Sequence, residues 1–222
     1  MTRASPAASS NTPHNDFFDR ARRLLTLDEP VGLTDPDALP LRGDHDLDPV
    51  SQAMAAVRPI KPAAVLIGVV ERDEPMVLLT QRTAHLPQHA GQIAFPGGKI
   101  DPTDATPLAA AMREADEEVG LHADAIDPIG YLDVYMTTLG YRIVPVVARV
   151  KPGFTLTLNP GEVDDAFEVP LSFMMEAANH QKHSREWQGL MRTYYAIPFG
   201  ERYIWGVTAG IFRNLYERIY GE

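Results

Sequence analysis

The stretch GGKIDPTDATPLAAAMREADEEVGL, residues 97–121, carries the strongest local pattern in the chain. From Pro107 to Val119, apolar residues recur at the spacing of one face of a helix; they are Leu108, Ala111, Met112, Ala115 and Val119. Gly120 follows directly, at the position where helices commonly end on a left-handed glycine. The sequence therefore predicts a helix over residues 107–119 that packs one face against a sheet.

Three carboxylates lie on the other face of this helix. Glu114 is three residues from Glu117 and four from Glu118, so all three side chains point to the same side. Like charges at these spacings repel, and the C-terminal end of a helix also disfavours negative charge. Two readings remain open: a solvated acidic face, or a site for a hard divalent cation such as Mg²⁺ or Mn²⁺.

Runs of apolar and β-branched residues on both sides of this helix predict a sheet. AAVLIGVV (63–70) and MVLLTQR (76–82) read as an antiparallel pair, and further strands are expected at 128–138, 141–150, 193–199 and 202–205. Residues 162–171 read as a strand or the end of one, while 172–181 and 206–220 read as helices. Strands with interspersed helices predict a mixed α/β fold.

Three regions differ in composition. Residues 1–15 are small and polar and are predicted to be a disordered tail. Residues 16–60 begin with an amphipathic helix at 16–27 and continue as a loop rich in Pro and Asp, with a short helical piece near 49–57. The compact domain is expected to span residues 61–222.

The bulk composition narrows the classes of function. The chain has 222 residues and a net charge of -10. It has no cysteine, and this absence excludes disulfides, zinc thiolate sites and cysteine nucleophiles. An acidic chain is a poor general binder of nucleic acid or anionic membranes. The sequence contains no run of about 18 apolar residues, so no membrane span is predicted. We expect a small-molecule partner, no nucleic acid, no membrane and a cytoplasmic location, and leave a homodimer open.

The segment READEEVGL, residues 113–121, resembles the end of the Nudix box, whose second half reads Arg-Glu-apolar-x-Glu-Glu-x-Gly-apolar. Every defined position of that half is filled, and FPGG stands upstream at residues 95–98. The chain is thus similar to Nudix hydrolases, which cleave nucleoside diphosphates linked to another group. The resemblance implies an α/β/α sandwich with a mixed central sheet, here preceded by an N-terminal helical extension.

The first half of the box departs from the family pattern. Counted from Gly98, the expected Glu is Asp104, and the gap to Arg113 is one residue longer than usual. In the family this acid supports the loop by pairing with the box arginine. Asp104 and Asp101 are both candidates for that role.

A longer signature surrounds the box. LLTQRTAHLPQHAGQIAFPGG, residues 78–98, is similar to the coenzyme A pyrophosphatase subgroup, as are NPGEVDDAFEVPL (159–171) and IWGVTA (204–209). The resemblance implies hydrolysis of coenzyme A, or of its acyl derivatives, to 3',5'-ADP and 4'-phosphopantetheine. Two alternatives stay open: a pyrophosphatase for ADP-ribose, NADH or another nucleoside diphosphate derivative, and a non-catalytic nucleotide-binding module on the same scaffold.

The resemblance and the residue chemistry together give the candidate site. Mg²⁺ or Mn²⁺ would be held by Glu114, Glu118, Glu117 and the carbonyl of Gly98, with Glu117 either a third ligand or a base that orients water. The base outside the box is expected to be Glu162, with Asp164 and Asp165 as alternates. Candidate substrate contacts are Arg82, His85, His89 and Lys99; Trp187 and Trp205 read as core residues or as a stacking surface for adenine.

Overall fold

The computed structural model describes residues 16–48, 50–86, 89–187 and 189–221, without the side chain of Trp187. The tail predicted at residues 1–15 lies outside this part of the chain. The helices are α1 Phe17–Leu24, α2 Val50–Ala56, α3 Pro107–Val119, α4 Leu171–Met174 and α5 Val207–Tyr220. The strands are β1 Arg42–Gly43, β2 Lys61–Val70, β3 Met76–Arg82, β4 Ile93–Ala94, β5 Gly97–Lys99, β6 Ile126–Tyr131, β7 Tyr135–Met136, β8 Tyr141–Val150, β9 Val163–Pro170, β10 Gln181–Trp187, β11 Leu190–Phe199 and β12 Arg202–Trp205.

The main sheet contains both parallel and antiparallel pairs. β2 runs parallel to β8 along its whole length, and β1 runs parallel to β7. The other neighbours, including β6 with β8 and β9 with β3, are antiparallel. The expected mixed sheet is therefore confirmed among the described residues.

Successive residues of β2 point to opposite faces of the sheet, and each face carries its own core. Leu66 packs with the apolar stripe of α3, while Ile67 packs with α1 and α5 through Phe17 and Phe212. Helices thus cover both faces of the sheet, which confirms the predicted α/β/α layers. The N-terminal helix α1 belongs to the same core as α5.

The antiparallel pairing of β2 with β3 is confirmed, but only at the ends of the strands. Val69 pairs with Val77 and Val70 pairs with Met76. Nearer the start of β2, the same edge pairs with β5, whose glycines lie beside Ala64 and Val65. This arrangement brings the glycine turn of the acidic segment onto the sheet.

The helix predicted at residues 172–181 is wrong beyond its first turn. Helix α4 ends at Met174, and only a single 3-10 turn follows at Ala177–Asn179. The side chain of Asn179 donates to the carbonyl of Phe173, and the His180 ring bonds the carbonyl of Met174. Because side chains take these two carbonyls, a longer helix does not form.

A second, three-stranded sheet lies beyond α4. Strands β10, β11 and β12 form it in that order, all antiparallel. β11 and β12 were predicted, whereas the polar strand β10 lacks the alternation that identifies a half-buried strand. Among the described residues, no helix combines the length and apolar character needed to cross a bilayer.

Candidate active site

Helix α3 begins and ends on strong local signals. The Thr106 side chain accepts a hydrogen bond from the backbone N–H of Ala109, and Pro107 occupies the first turn. Gly120 closes the helix in the left-handed conformation, with φ 68°. These bounds match the predicted helix and fix which side chains face the glycine turn.

The glycine turn and the helix touch at Gly98 and Glu114. A Cβ at Gly98 would lie 2.5 Å from the carboxyl carbon of Glu114, far inside van der Waals contact. A Cβ at Gly97 would lie 2.4 Å from the carbonyl oxygen of Ala64. Only glycine therefore lets a carboxylate of α3 lie directly against the backbone of the turn.

Glu118 is the most enclosed of the three carboxylates, with only 3% of its side chain exposed. Its Oε2 accepts the Gly97 N–H at 3.3 Å, and its Oε1 lies 3.4 Å from Nη1 of Arg82. Burial raises the pKa of Glu118 to about 7, against the opposing effect of Arg82. Burial also raises the pKa of Glu114, which Arg113 opposes.

Arg113 organises the acidic face. Its guanidinium donates to both carboxylate oxygens of Asp104, at 3.1 and 3.0 Å, and to the carbonyl of Lys99 at 3.2 Å. Asp101 instead accepts from the N–H and hydroxyl of Thr103. Of the two acids left open by the sequence, Asp104 is the one that pairs with the arginine.

Arg113 also holds Glu117 and Glu114. Its Nη1 lies 2.8 Å from Oε2 of Glu117 and 3.1 Å from Oε1 of Glu114. Glu117 is 56% exposed, unlike Glu118. In the described parts of the chain, no three His, Asp or Glu side chains are arranged so that they could hold a metal ion together. Binding of a cation by all three glutamates of α3 therefore stays a proposal.

The loop that carries Glu162 is docked onto the end of α3. Asn159 donates its backbone N–H to the Glu118 carbonyl at 2.9 Å, and Thr157 donates to the Val119 carbonyl at 2.8 Å. Thr83 at the end of β3 donates its N–H to the Glu162 carbonyl at 3.0 Å. The charge of Glu162 contributes to the raised pKa of both Glu114 and Glu118, so these carboxylates share one electrostatic environment.

The two alternates to Glu162 are placed differently. Asp165 forms an ion pair with Arg202 at 2.5 Å, and the same guanidinium donates to Gln81. Asp164 is exposed. Of the three acids, Glu162 is among the charges that raise the pKa values of Glu114 and Glu118, below the larger effect of burial.

The candidate substrate contacts lie on or beside the loop after β3. Arg82 and Gln92 close this loop through a backbone hydrogen bond of 2.9 Å. His85 and His89 are exposed on it, and the His89 ring bonds the side chain of Gln92 at 2.8 Å. Among the described residues, Arg82 is the only one of the four candidates that forms an ion pair with α3; the Lys99 side chain is exposed.

The chemistry of the donor set fits a divalent cation. Both Glu114 and Glu118 are enclosed and have raised pKa values. Glu114 lies against the backbone of Gly98, which has no side chain to fill the space, and Glu118 accepts the N–H of Gly97. Oxygen donors of this kind suit Mg²⁺ or Mn²⁺. Of the two tryptophans, Trp205 packs edge-on against Tyr194 in the second sheet, and the side chain of Trp187 is outside the described atoms.

Sequence reasoning assigned no structural role to Asn159 or Arg202. The Asn159 side chain accepts the Gly161 N–H at 3.0 Å, which shapes the turn before Glu162. Its Asn-Pro dipeptide was a detectable turn signal. Arg202 had no signal, because its partners Gln81 and Asp165 are distant in sequence.

Comparison with known proteins gives one family. The NUDIX domain model matches residues 59–188, more than half of the chain. The uncharacterized Nudix hydrolase NudL of Escherichia coli K12 is 40% identical over 153 residues, covering 69% of this chain and 80% of NudL.

Two solved structures also match. A MutT protein from Methanosarcina mazei is 22% identical, covers 54% of this chain and 83% of its own, and has a TM-score of 0.43. The NUDIX domain of Shewanella oneidensis NrtR, solved with ADP ribose, is 20% identical, covers 53% and 77%, and has a TM-score of 0.41.

Proposed function

This chain belongs to the NUDIX family and is a Nudix hydrolase, and on that premise we propose that it cleaves the diphosphate of coenzyme A or its acyl derivatives. The products are 3',5'-ADP and 4'-phosphopantetheine. The observation that carries this proposal is the Arg82–Glu118 ion pair, because it joins the loop of the coenzyme A signature to the acidic face of α3.

In this proposal, the carboxylates of Glu114 and Glu118, the Gly98 carbonyl and, as a third carboxylate, Glu117 hold Mg²⁺ or Mn²⁺. When bound, the cation supplies positive charge that neutralises the diphosphate oxygens. Glu117 would leave Arg113 to take part, and its exposure leaves room for that movement. Arg113 remains fixed by Asp104 and keeps the turn against the helix.

Glu162 is the proposed general base. It accepts a proton from the attacking water while the water oxygen bonds to one phosphorus, and the bridging P–O bond breaks with its electron pair leaving on the other phosphate. The backbone N–H of Asn159 holds its loop against helix α3, and the N–H of Thr83 holds it against the end of β3. Positioning of this kind is a large part of catalysis in phosphoryl transfer.

Arg82 is the proposed phosphate contact. Within the described residues its Nε is buried and lacks a hydrogen-bond partner, so this donor is free for a substrate oxygen. His85, His89 and Lys99 have exposed side chains and are proposed to contact the rest of the nucleotide.

A product assay tests the function. The purified protein is incubated with Mg²⁺ or Mn²⁺ and, separately, coenzyme A, acetyl-coenzyme A, ADP-ribose, NADH and diadenosine polyphosphates. We expect release of 3',5'-ADP and a phosphopantetheine product from the coenzyme A compounds. Turnover of other compounds alone would refute the coenzyme A assignment, and binding without turnover of any compound would refute the catalytic one.

A further inference from the structure

Strand β10, Gln181–Trp187, forms a free edge of the second sheet. In the part of the chain that the structure describes, it pairs with β11 alone. It is seven residues long, without Pro or Gly, and most of its residues are exposed. Proteins usually cover or interrupt such an edge, because its unpaired N–H and C=O groups invite another strand.

The hairpin that joins β10 to β11 decides which residues point their backbone groups outward. Trp187 pairs with Leu190, and only two residues separate them. The pair that flanks a two-residue hairpin loop exchanges both backbone hydrogen bonds, and such pairs then alternate along the ladder. The N–H and C=O groups of Lys182, Ser184 and Glu186 therefore face the free edge.

We propose that a second copy of this chain pairs antiparallel along β10, with the two-fold axis at Ser184. In this register Ser184 lies opposite Ser184 of the other copy, and Lys182 lies opposite Glu186. The Lys182–Glu186 pair joins opposite charges, and the two-fold axis repeats it, so the dimer contains two such pairs. All seven residues find a partner, and the two sheets become one of six strands.

Neighbouring registers are less favourable. A shift of two residues in one direction places Arg185 opposite itself, which opposes like charges across the strands. A shift in the other direction leaves Glu186 beyond the end of the partner strand. The charge pattern of β10 thus selects one register among those that match outward-facing backbone groups.

An aromatic cluster on the same sheet adds apolar surface beside this edge. The rings of His183, Tyr194, Tyr203 and Trp205 contact one another, and Tyr203 and Trp205 are 41% and 36% exposed. Exposed aromatic patches of this kind mark interaction surfaces more often than isolated side chains do. In the proposed register, Arg185 of the second copy lies opposite His183, so its guanidinium extends the cluster.

A charge exchange tests the register. Lys182→Glu and Glu186→Lys each turn two attractive pairs into two repulsive ones, so each variant should raise the dimer dissociation constant about tenfold or more in sedimentation equilibrium. The double variant Lys182→Glu/Glu186→Lys should return it close to that of the unaltered protein. Circular dichroism and Tm check that each variant is folded.

A cross-link tests the axis independently. The chain has no cysteine, so Ser184→Cys introduces a single thiol on each copy. Directly opposed residues of a hydrogen-bonded antiparallel pair have Cα atoms about 5.5 Å apart, within the range of a disulfide. Mild oxidation should give a covalent dimer on a non-reducing gel, while the exposed control Ala123→Cys should give far less.

Three results would overturn the proposal. The first is an unaltered protein that stays monomeric at every concentration, as it would if residues 1–15 of the same chain covered the edge. The second is a dimer whose dissociation constant is the same in the unaltered protein and in the single charge variants. The third is a Ser184→Cys protein that cross-links no better than the Ala123→Cys control.

Discussion

Asn159 donates its backbone N–H to the carbonyl oxygen of Glu118 at 2.9 Å, so the loop that carries Glu162 completes the end of helix α3. The last carbonyls of a helix have no partner within it and must be satisfied elsewhere. Here the segment that supplies these donors is also the one that carries Glu162. The end of α3 and the proposed base are therefore held by the same contacts.

Asn159→Ala should lower kcat about tenfold while changing KM little. The substitution removes the side-chain oxygen that accepts the Gly161 N–H, so the turn before Glu162 loosens. Steady-state kinetics with the best substrate of the panel measure the effect. Asn159→Asp keeps an oxygen at the same place and should retain more activity; equal losses in both variants would contradict a positioning role.

Glu118→Gln should reduce kcat about a hundredfold or more, because a neutral amide is a poor ligand for Mg²⁺ or Mn²⁺. The rise in Tm that saturating Mn²⁺ gives the unaltered protein should also be lost. Without metal, the variant should be at least as stable as the unaltered protein, since it no longer buries an ionisable carboxyl. Full activity in this variant would refute the ligand role.

Glu162→Gln should lower kcat by about 10²–10⁴, the range typical of a lost general base. Because the base is proposed to act on water, Mn²⁺ should still raise the Tm of this variant. Asp164→Asn, at an exposed neighbouring position, is the matched control and should behave like the unaltered protein. A larger loss of kcat in Asp164→Asn than in Glu162→Gln would indicate that Asp164 is the base.

His85→Ala and His89→Ala should each raise the KM for coenzyme A about tenfold, since a lost hydrogen bond to a charged phosphate costs roughly this much. The KM for ADP-ribose, if it is turned over at all, should change less. Parallel kinetics on the two substrates make the comparison. An equal rise for both would mean that the loop does not select coenzyme A.

The contribution of His180 to the stability of the protein should fall as the pH drops below about 6.5, the ordinary pKa of histidine. Burial lowers the pKa of His180, with Arg213 acting in the same direction and Glu176 and Glu217 opposing it. As the pH falls, the unfolded chain therefore binds the proton before the folded protein does. The free energy of unfolding decreases between about pH 6.5 and the lower pKa of His180 in the folded state, whereas above pH 6.5 the contribution is fully present.

Urea denaturation at several pH values measures this effect. His180→Gln keeps a donor for the Met174 carbonyl but does not titrate, so its free energy of unfolding should depend less on pH between 7.5 and 5.5 (a difference in slope of at most about 1.4 kcal/mol per pH unit). Equal slopes in the two proteins would exclude His180 as the source.

Local patterns determined the elements that carry the proposed chemistry. The bounds of α3 at Pro107 and Val119, and of β3 at Met76 and Arg82, agree with the sequence prediction. The signals used for α3 were an apolar stripe and a terminal glycine, and the signal for β3 was a short apolar run; each acts within a few residues of chain. For the same reason the glutamates on one face of α3 could be identified before any tertiary contact was known.

Tertiary structure alone decided how distant side chains meet. It selected Asp104 over Asp101 as the partner of Arg113, docked the loop that carries Glu162 onto the end of α3, and joined Arg202 to Gln81 and Asp165. It also revealed β10, whose polar sequence has no strand pattern of its own and which forms because β11 offers it a ladder of backbone hydrogen bonds. A short stretch of sequence determines local conformational preferences, whereas these contacts depend on where the sheet and its loops bring distant segments together in space.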